Sequence, residues 1–214
     1  MKMSFFKRQG AWVCLLVIGL AIVCVCAFHP KSRFNIENYL PMLNCSAEND
    51  TSTFVLTGYN FGFETVTYPT GLPDGWNRWG SLSYACKLDS VEKHSGKYSI
   101  RIESRSKEIA TEGFGCPFFA IPAKYAGKTV TVKAFMKLED VEIPIGLLLR
   151  IDDNKGNIVA FDNMQQREIT GTCDWREYSV TVDLPPNAKT IYIGAIHSGK
   201  GKLWVDDFQV LIGR

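Results

Sequence analysis

Three histidines, three pairs of adjacent carboxylates and seven cysteines are the residues of this 214-residue chain whose types could do chemistry. His29, His94 and His197 have no metal-ligand spacing, and neither HExxH nor G-x-S-x-G occurs. Glu139-Asp140 and Asp206-Asp207 are neighbours in sequence. Neighbours on a strand point to opposite faces, so neither pair can flank one scissile bond from across a cleft. Gly194 to Lys200 spells GxxxxGK, but Gly201 stands where Ser or Thr is needed, and a strand pattern follows in place of a phosphate-facing helix N-terminus. A hairpin turn is the better reading. Asp152-Asp-Asn-Lys-Gly156 resembles the start of a calcium loop, yet its twelfth position is Asn163 rather than a bidentate Glu. Cys14, Cys24 and Cys26 lie in an N-terminal apolar run, and Cys45, Cys86, Cys116 and Cys173 lie beyond it without a CxxC pair. Structural disulfides or buried thiols suit those four better than a catalytic thiol. No catalytic constellation assembles, so the chain reads as non-enzymatic.

The elements that must position these residues divide the chain in three. Ala11 to Phe28 carries no charge and follows Lys2, Lys7 and Arg8, the pattern of a secretory signal with Val25-Cys26-Ala27 as a cleavage site. As a helix this run rises about 27 Å, slightly short of a roughly 30 Å hydrocarbon core. Residues 1–27 therefore read as a signal helix, with an uncleaved membrane anchor or a lipid-modified cysteine left open, and the protein as exported: secreted, periplasmic or at the cell surface. Without them 21 basic residues face 22 acidic ones. That balance lacks the basic surplus that nucleic acid requires. Residues 28–54 are rich in Pro, Ser, Asn and Thr and read as a linker. Residues 55–214 are a succession of short β-branched or aromatic runs, among them Thr129–Met136, Ile145–Ile151, Tyr178–Asp183, Ile191–Ile196 and Leu203–Leu211, separated by Gly-, Pro- and Asn-bearing turns. The expected fold is all-β, a sandwich of two antiparallel sheets.

Several segments of this body occur in an order that resembles a known family: Asn60-Phe-Gly-Phe-Glu64, Pro73-Asp-Gly-Trp76, His94-Ser-Gly-Lys-Tyr-Ser-Ile-Arg101, Tyr125-Ala-Gly-Lys-Thr-Val130 and Trp204-Val-Asp-Asp-Phe208. They resemble the CenC-type carbohydrate-binding module, a galactose-binding-like jelly roll. Phe161-Asp-Asn-Met164 with Gly171-Thr-Cys-Asp-Trp175 is similar to a narrower branch found as a non-catalytic domain beside bacterial tail-specific-type peptidases and on transcription regulators. The resemblance implies a jelly roll and a carbohydrate ligand; a protein-interaction or structural domain without a sugar site is the alternative. It also implies a structural calcium ion held by Glu64, Asp206 or Asp207 and carbonyls of the His94–Lys97 turn.

Alternation then places the ligand face. Val130, Val132, Ala134 and Met136 share one side of their run, and Ile145, Leu147, Leu149 and Ile151 share one side of theirs. Phe135, Leu148 and Arg150 are left opposite, an apolar platform with a guanidinium that suits a sugar ring. Asp162, Asn163 and His197 near strand ends would add directional hydrogen bonds to hydroxyls. Trp76 and Trp79 lie in a turn-rich segment, either at the rim of that face or folded back as a lid over the core.

Overall fold

The computed structural model describes residues 5–8, 11–18, 21–26, 53–68, 71–105, 113–125 and 127–214. The chain divides into two units, residues 1–49 and 50–214. In the first, β1 (Phe5–Arg8), β2 (Ala11–Ile18) and β3 (Ala21–Cys26) form an antiparallel sheet. This corrects the expected N-terminal helix. Trp12, Val13, Val17, Ile18, Ile22, Val23 and Val25 make the run as rich in strand formers as in membrane-compatible residues. Among the described residues no helix is long and apolar enough to cross a membrane. The linker expected over 28–54 lies outside the described residues except for its last two, which belong to β4.

The second unit is the expected two-layered antiparallel sandwich. Its strands are β4 (Thr53–Val55), β5 (Trp76–Gly80), β6 (Tyr84–Asp89), β7 (Ser99–Ser104), β8 (Gly115–Pro122), β9 (Thr129–Asp152), β10 (Ile158–Asp162), β11 (Ile169–Asp183), β12 (Thr190–Ile196) and β13 (Lys202–Gly213). They follow the order β5-β8-β12-β9-β13-β7-β6, with β10 and β11 added on β9 and β4 on β13. The 24-residue β9 makes two layers out of this order. Up to Glu139 it pairs with β13, and from Gly146 with β12. Between the two lie left-handed Asp140 (φ 51°) and Pro144, neither of which continues a regular ladder. The first sheet is therefore β6-β7-β13-β9-β11, and the second is β5-β8-β12-β9-β10.

The core lies between these sheets and contains both predicted inward sets. Val130, Val132, Ala134, Met136, Ile145, Leu147, Leu149 and Ile151 are all buried in one cluster with Ile100, Ile102, Ile191, Ile193, Leu203 and Val205. An aromatic knot closes one end: Trp76 packs on Phe63 at 4.8 Å, Phe208 at 5.1 Å and Phe119 at 5.6 Å. The Trp76 indole N–H donates to the Asn60 carbonyl at 2.8 Å, which satisfies its polar edge inside the core. Cys86, Cys116 and Cys173 are free thiols. Burial pushes Cys86 up to about 11 and Cys116 further. These are buried or half-buried structural thiols; Cys45 lies outside the described residues.

Candidate functional site

The outer face of the second sheet carries rings where an idle surface would carry charges. Trp76 points inward in β5, so Trp79, three positions on, points outward. The same parity turns Phe118 of β8 outward while Phe119 joins the core, and turns Tyr192 outward between buried Ile191 and Ile193. Trp79 lies nearly parallel to Phe118 with centroids 3.9 Å apart and meets Tyr192 at 5.0 Å. Arg150 is the direct cross-strand partner of Tyr192 on one side and Phe161 on the other. Its guanidinium carbon lies 5.4 Å from the Trp79 ring centre and 5.8 Å from that of Tyr192. The row Phe161–Arg150–Tyr192–Trp79/Phe118 thus crosses all five strands, roughly 19 Å at about 4.8 Å per strand.

Arg150 is held rigidly. Its Nε and Nη2 donate to the two carboxylate oxygens of Asp152, both at 2.7 Å. The Asp152 side chain is 7% exposed and that of Arg150 28%. A bidentate pair of this kind fixes the plane of the guanidinium and balances its charge. It leaves Nη1 and one flat face between the rings, so the platform offers apolar ring surface with fixed donors at its centre.

The remaining predicted residues fall elsewhere. Phe135 is on the outer face of the first sheet, because β9 has changed layers before it reaches Arg150. The His94 ring covers it in a parallel stack at 3.6 Å, with Trp175 edge-on to His94. Leu148 is on the second sheet but buried. Trp76 is in the core, as the lid alternative had it. His197 is fully buried: a bridge to Gly115 draws it under the β8 end. Its Nε2 is 3.2 Å from the Gly201 carbonyl, its Nδ1 has no partner among the described residues, and burial lowers its pKa to about 4. Asp162 and Asn163 lie beside the platform at the end of β10, but their oxygens hold the local chain. Asp162 accepts from Arg167 and from the Met164 amide, and Asn163 from the Gln165 amide. Phe118, Tyr192 and Phe161 are members of the platform that sequence reasoning missed. Of these only Tyr192 was legible, as the outward residue of an alternating run.

The carboxylates expected around the His94–Lys97 turn do converge on it. Glu64 accepts the amide N–H groups of Lys97 (2.8 Å) and Tyr98 (3.3 Å). Asp206, fully buried, accepts those of His94 (2.9 Å), Ser95 (3.2 Å) and Asp207 (2.7 Å). Asp207, left-handed at φ 50°, takes His94 Nδ1 at 2.7 Å and the Ser95 hydroxyl at 2.9 Å. Burial, with the neighbouring Asp207 charge, raises Asp206 to about 6. Side chains alone do not make an ion cage among the described residues.

Comparison with known proteins follows the same lines. The carbohydrate binding domain family matches residues 56–201. An uncharacterised helix-turn-helix-type transcriptional regulator of Bacillus subtilis (strain 168), YbfP, is 32% identical over 135 residues, which are 62% of this chain and 45% of that protein. The chain therefore spans under half the length of this curated relative. Among solved structures, the enzymatically active domain of bacteriophage CBA120 tailspike protein 4 superposes with a TM-score of 0.52 at 14% identity, over 73% of this chain and 21% of that one. The tandem CBM22-1-CBM22-2 domain of Paenibacillus barcinonensis Xyn10C gives 0.52 at 14% identity, over 76% and 46%. Identities this low establish the fold alone. The match over most of the sandwich establishes more: this chain belongs to the carbohydrate binding domain family.

Proposed function

We propose that the sandwich is a non-catalytic module that binds glycan across the outer face of its second sheet. The observation that carries this reading is the Trp79–Phe118–Tyr192 platform with Arg150 fixed among its rings. Exposed aromatic faces offer apolar area to the C–H faces of pyranose rings, and the guanidinium supplies directional donors to hydroxyls. Carboxylates near the platform are engaged in holding Arg150 and Arg167, which supports a binding role over acid/base chemistry. A glycan array probed with the full chain tests this. Retention on at least one polysaccharide, lost in Arg150→Ala at a temperature where the variant is still folded, is expected. No retention on any glycan would count against it and favour a protein-interaction domain.

Two further roles belong to this proposal. Glu64, Asp206 and Asp207 gather negative charge on one turn, and their hard oxygens together with turn carbonyls suit a structural calcium ion. Added calcium should raise the melting temperature and a chelator lower it; indifference to both would remove the ion from the account. The basic-then-apolar segment 1–27 supports export, with the N-terminal segment as the anchor if it is retained. Fractionation of cells expressing the chain should place it outside the cytoplasm, and a wholly cytoplasmic pool would overturn that.

A further inference from the structure

Strand β10 ends on a ring that the platform leaves uncovered. Phe161 is 49% exposed and, among the described residues, has no ring–ring contact. It faces Arg150 across the ladder and so extends the platform row to the edge of the sheet. Immediately beyond it the chain turns through a single 3-10 turn, Gln165–Arg167, and borders a half-open cavity of about 690 Å³. Phe161 forms one wall, and Asp162, Asn163, Met164, Gln165, Gln166 and Arg167 form the rest.

The backbone of this turn is fixed in place. Met164 is buried in the core, and its sulfur accepts the Leu147 amide at 3.3 Å. Gly146 lies beneath it: a Cβ there would stand 2.5 Å from the Met164 Cβ and 2.6 Å from the Asn163 carbonyl, so the loop sits directly on the sheet. Asp162 ties both ends of the turn, through the Met164 amide at 2.7 Å and the Arg167 guanidinium at 2.9 and 3.1 Å. Met164 (φ 59°) and Glu168 (φ 52°) are both left-handed, a conformation that non-glycine residues keep when their surroundings enforce it.

The chemistry of the cavity is specific. An open aromatic face stands against side-chain amides, which both donate and accept, and the only cation is already matched by Asp162. Such a lining selects an uncharged, hydroxyl-rich ring over an anion, and the fixed backbone beneath it lowers the ordering cost of binding. We propose that this cavity is an end subsite for one neutral pyranose ring, so that a glycan lying across the platform is gripped at β10 and its direction fixed. This rests on the platform reading.

Calorimetric titration of the full chain with neutral β-linked gluco-, xylo- and galacto-oligosaccharides of increasing length tests it. Wild type is compared with Phe161→Ala, Gln166→Ala and Trp79→Ala, each first shown to keep its melting temperature. Affinity should climb with length until a ring reaches the cavity. Gln166→Ala, outside the platform, should leave short ligands unaffected and weaken long ones about tenfold, and Phe161→Ala should weaken long ones at least as much. Trp79→Ala should weaken all lengths. If Trp79→Ala impairs binding while the other two bind every length as wild type does, the subsite is overturned and the platform stands. If wild type binds none of these ligands, the platform reading fails and the subsite fails with it.

Discussion

The two outer faces of the sandwich are built from the same alternation and end in opposite chemistries. On the first sheet the outward positions form a ladder of ion pairs: Arg101 with Asp89 (3.3 Å) and Glu103 (3.2 Å), Lys137 with Glu92 (2.7 Å), Lys133 with Glu177 (3.2 Å) and Lys202 with Glu139 (2.6 Å). Trp204, the large ring within this ladder, is buried and donates to Asp89 at 3.0 Å. The loop between β6 and β7 then covers Phe135 with His94. On the second sheet the outward positions include Trp79, Phe118, Tyr192 and Phe161, and the Arg150 among them is fixed by its own carboxylate. A surface whose only task is to meet water takes the first form. Leaving rings on the second costs solubility, a cost that the proposed ligand would offset by covering them.

Substitutions that separate inward from outward positions should break this contrast most sharply. Trp76→Ala removes the centre of the aromatic knot and should cost about 3–5 kcal/mol. Trp79→Ala, three residues away, should cost well under half of that while abolishing glycan retention. Chemical denaturation of both variants checks the difference, and equal losses would mean that β5 has no outward face.

Next in size is a pH effect confined to the buried end of β12. Unfolded His197 takes up a proton as pH falls through about 6.5, whereas the folded residue resists until about 4. Its contribution is therefore present at neutral pH and lost between pH 6.5 and 4, about 3 kcal/mol in all. Asp206 acts in the opposite sense: its raised value favours the folded protein as pH falls from about 6 toward 3.8. The difference between wild type and His197→Gln isolates the first effect. Wild type should lose stability relative to the variant across that window, and parallel curves would show that His197 is not held neutral.

The smallest effect belongs to the charge ladder. A double-mutant cycle on Lys133 and Glu177, an exposed pair, should give a coupling of about 0.5 kcal/mol that fades with salt, and no change in glycan binding. A binding defect in Lys133→Ala would move the ligand to the other face.

Much of this contrast was legible before the structure. The inward residues of 130–136 and 145–151 follow from a period of two, and the all-β sandwich follows from the runs and their turns. The assignment of faces to sheets was not legible. The stretch from Glu139 to Pro144 reads as a break between strands, yet it is the crossing of one strand from layer to layer, and that crossing separates Phe135 from Arg150. Trp76–Gly80 reads as a turn because of Gly75 and Gly80, so the opposite fates of its two tryptophans stayed hidden. Gly115, Pro117 and Pro122 obscure β8, and with it Phe118 and the bridge that buries His197. In the N-terminal segment strand formers and membrane-compatible residues are the same residues, and periodicity does not tell them apart.

The central claim is that glycan binds the ringed face and not the charged one. Affinity electrophoresis of the full chain through gels containing the polysaccharide that the array returns, with wild type beside Tyr192→Ala and Lys133→Ala, tests it most directly. The account predicts strong retardation of wild type and Lys133→Ala and free migration of Tyr192→Ala, all three with similar melting temperatures. Retardation of Tyr192→Ala equal to that of wild type would contradict it.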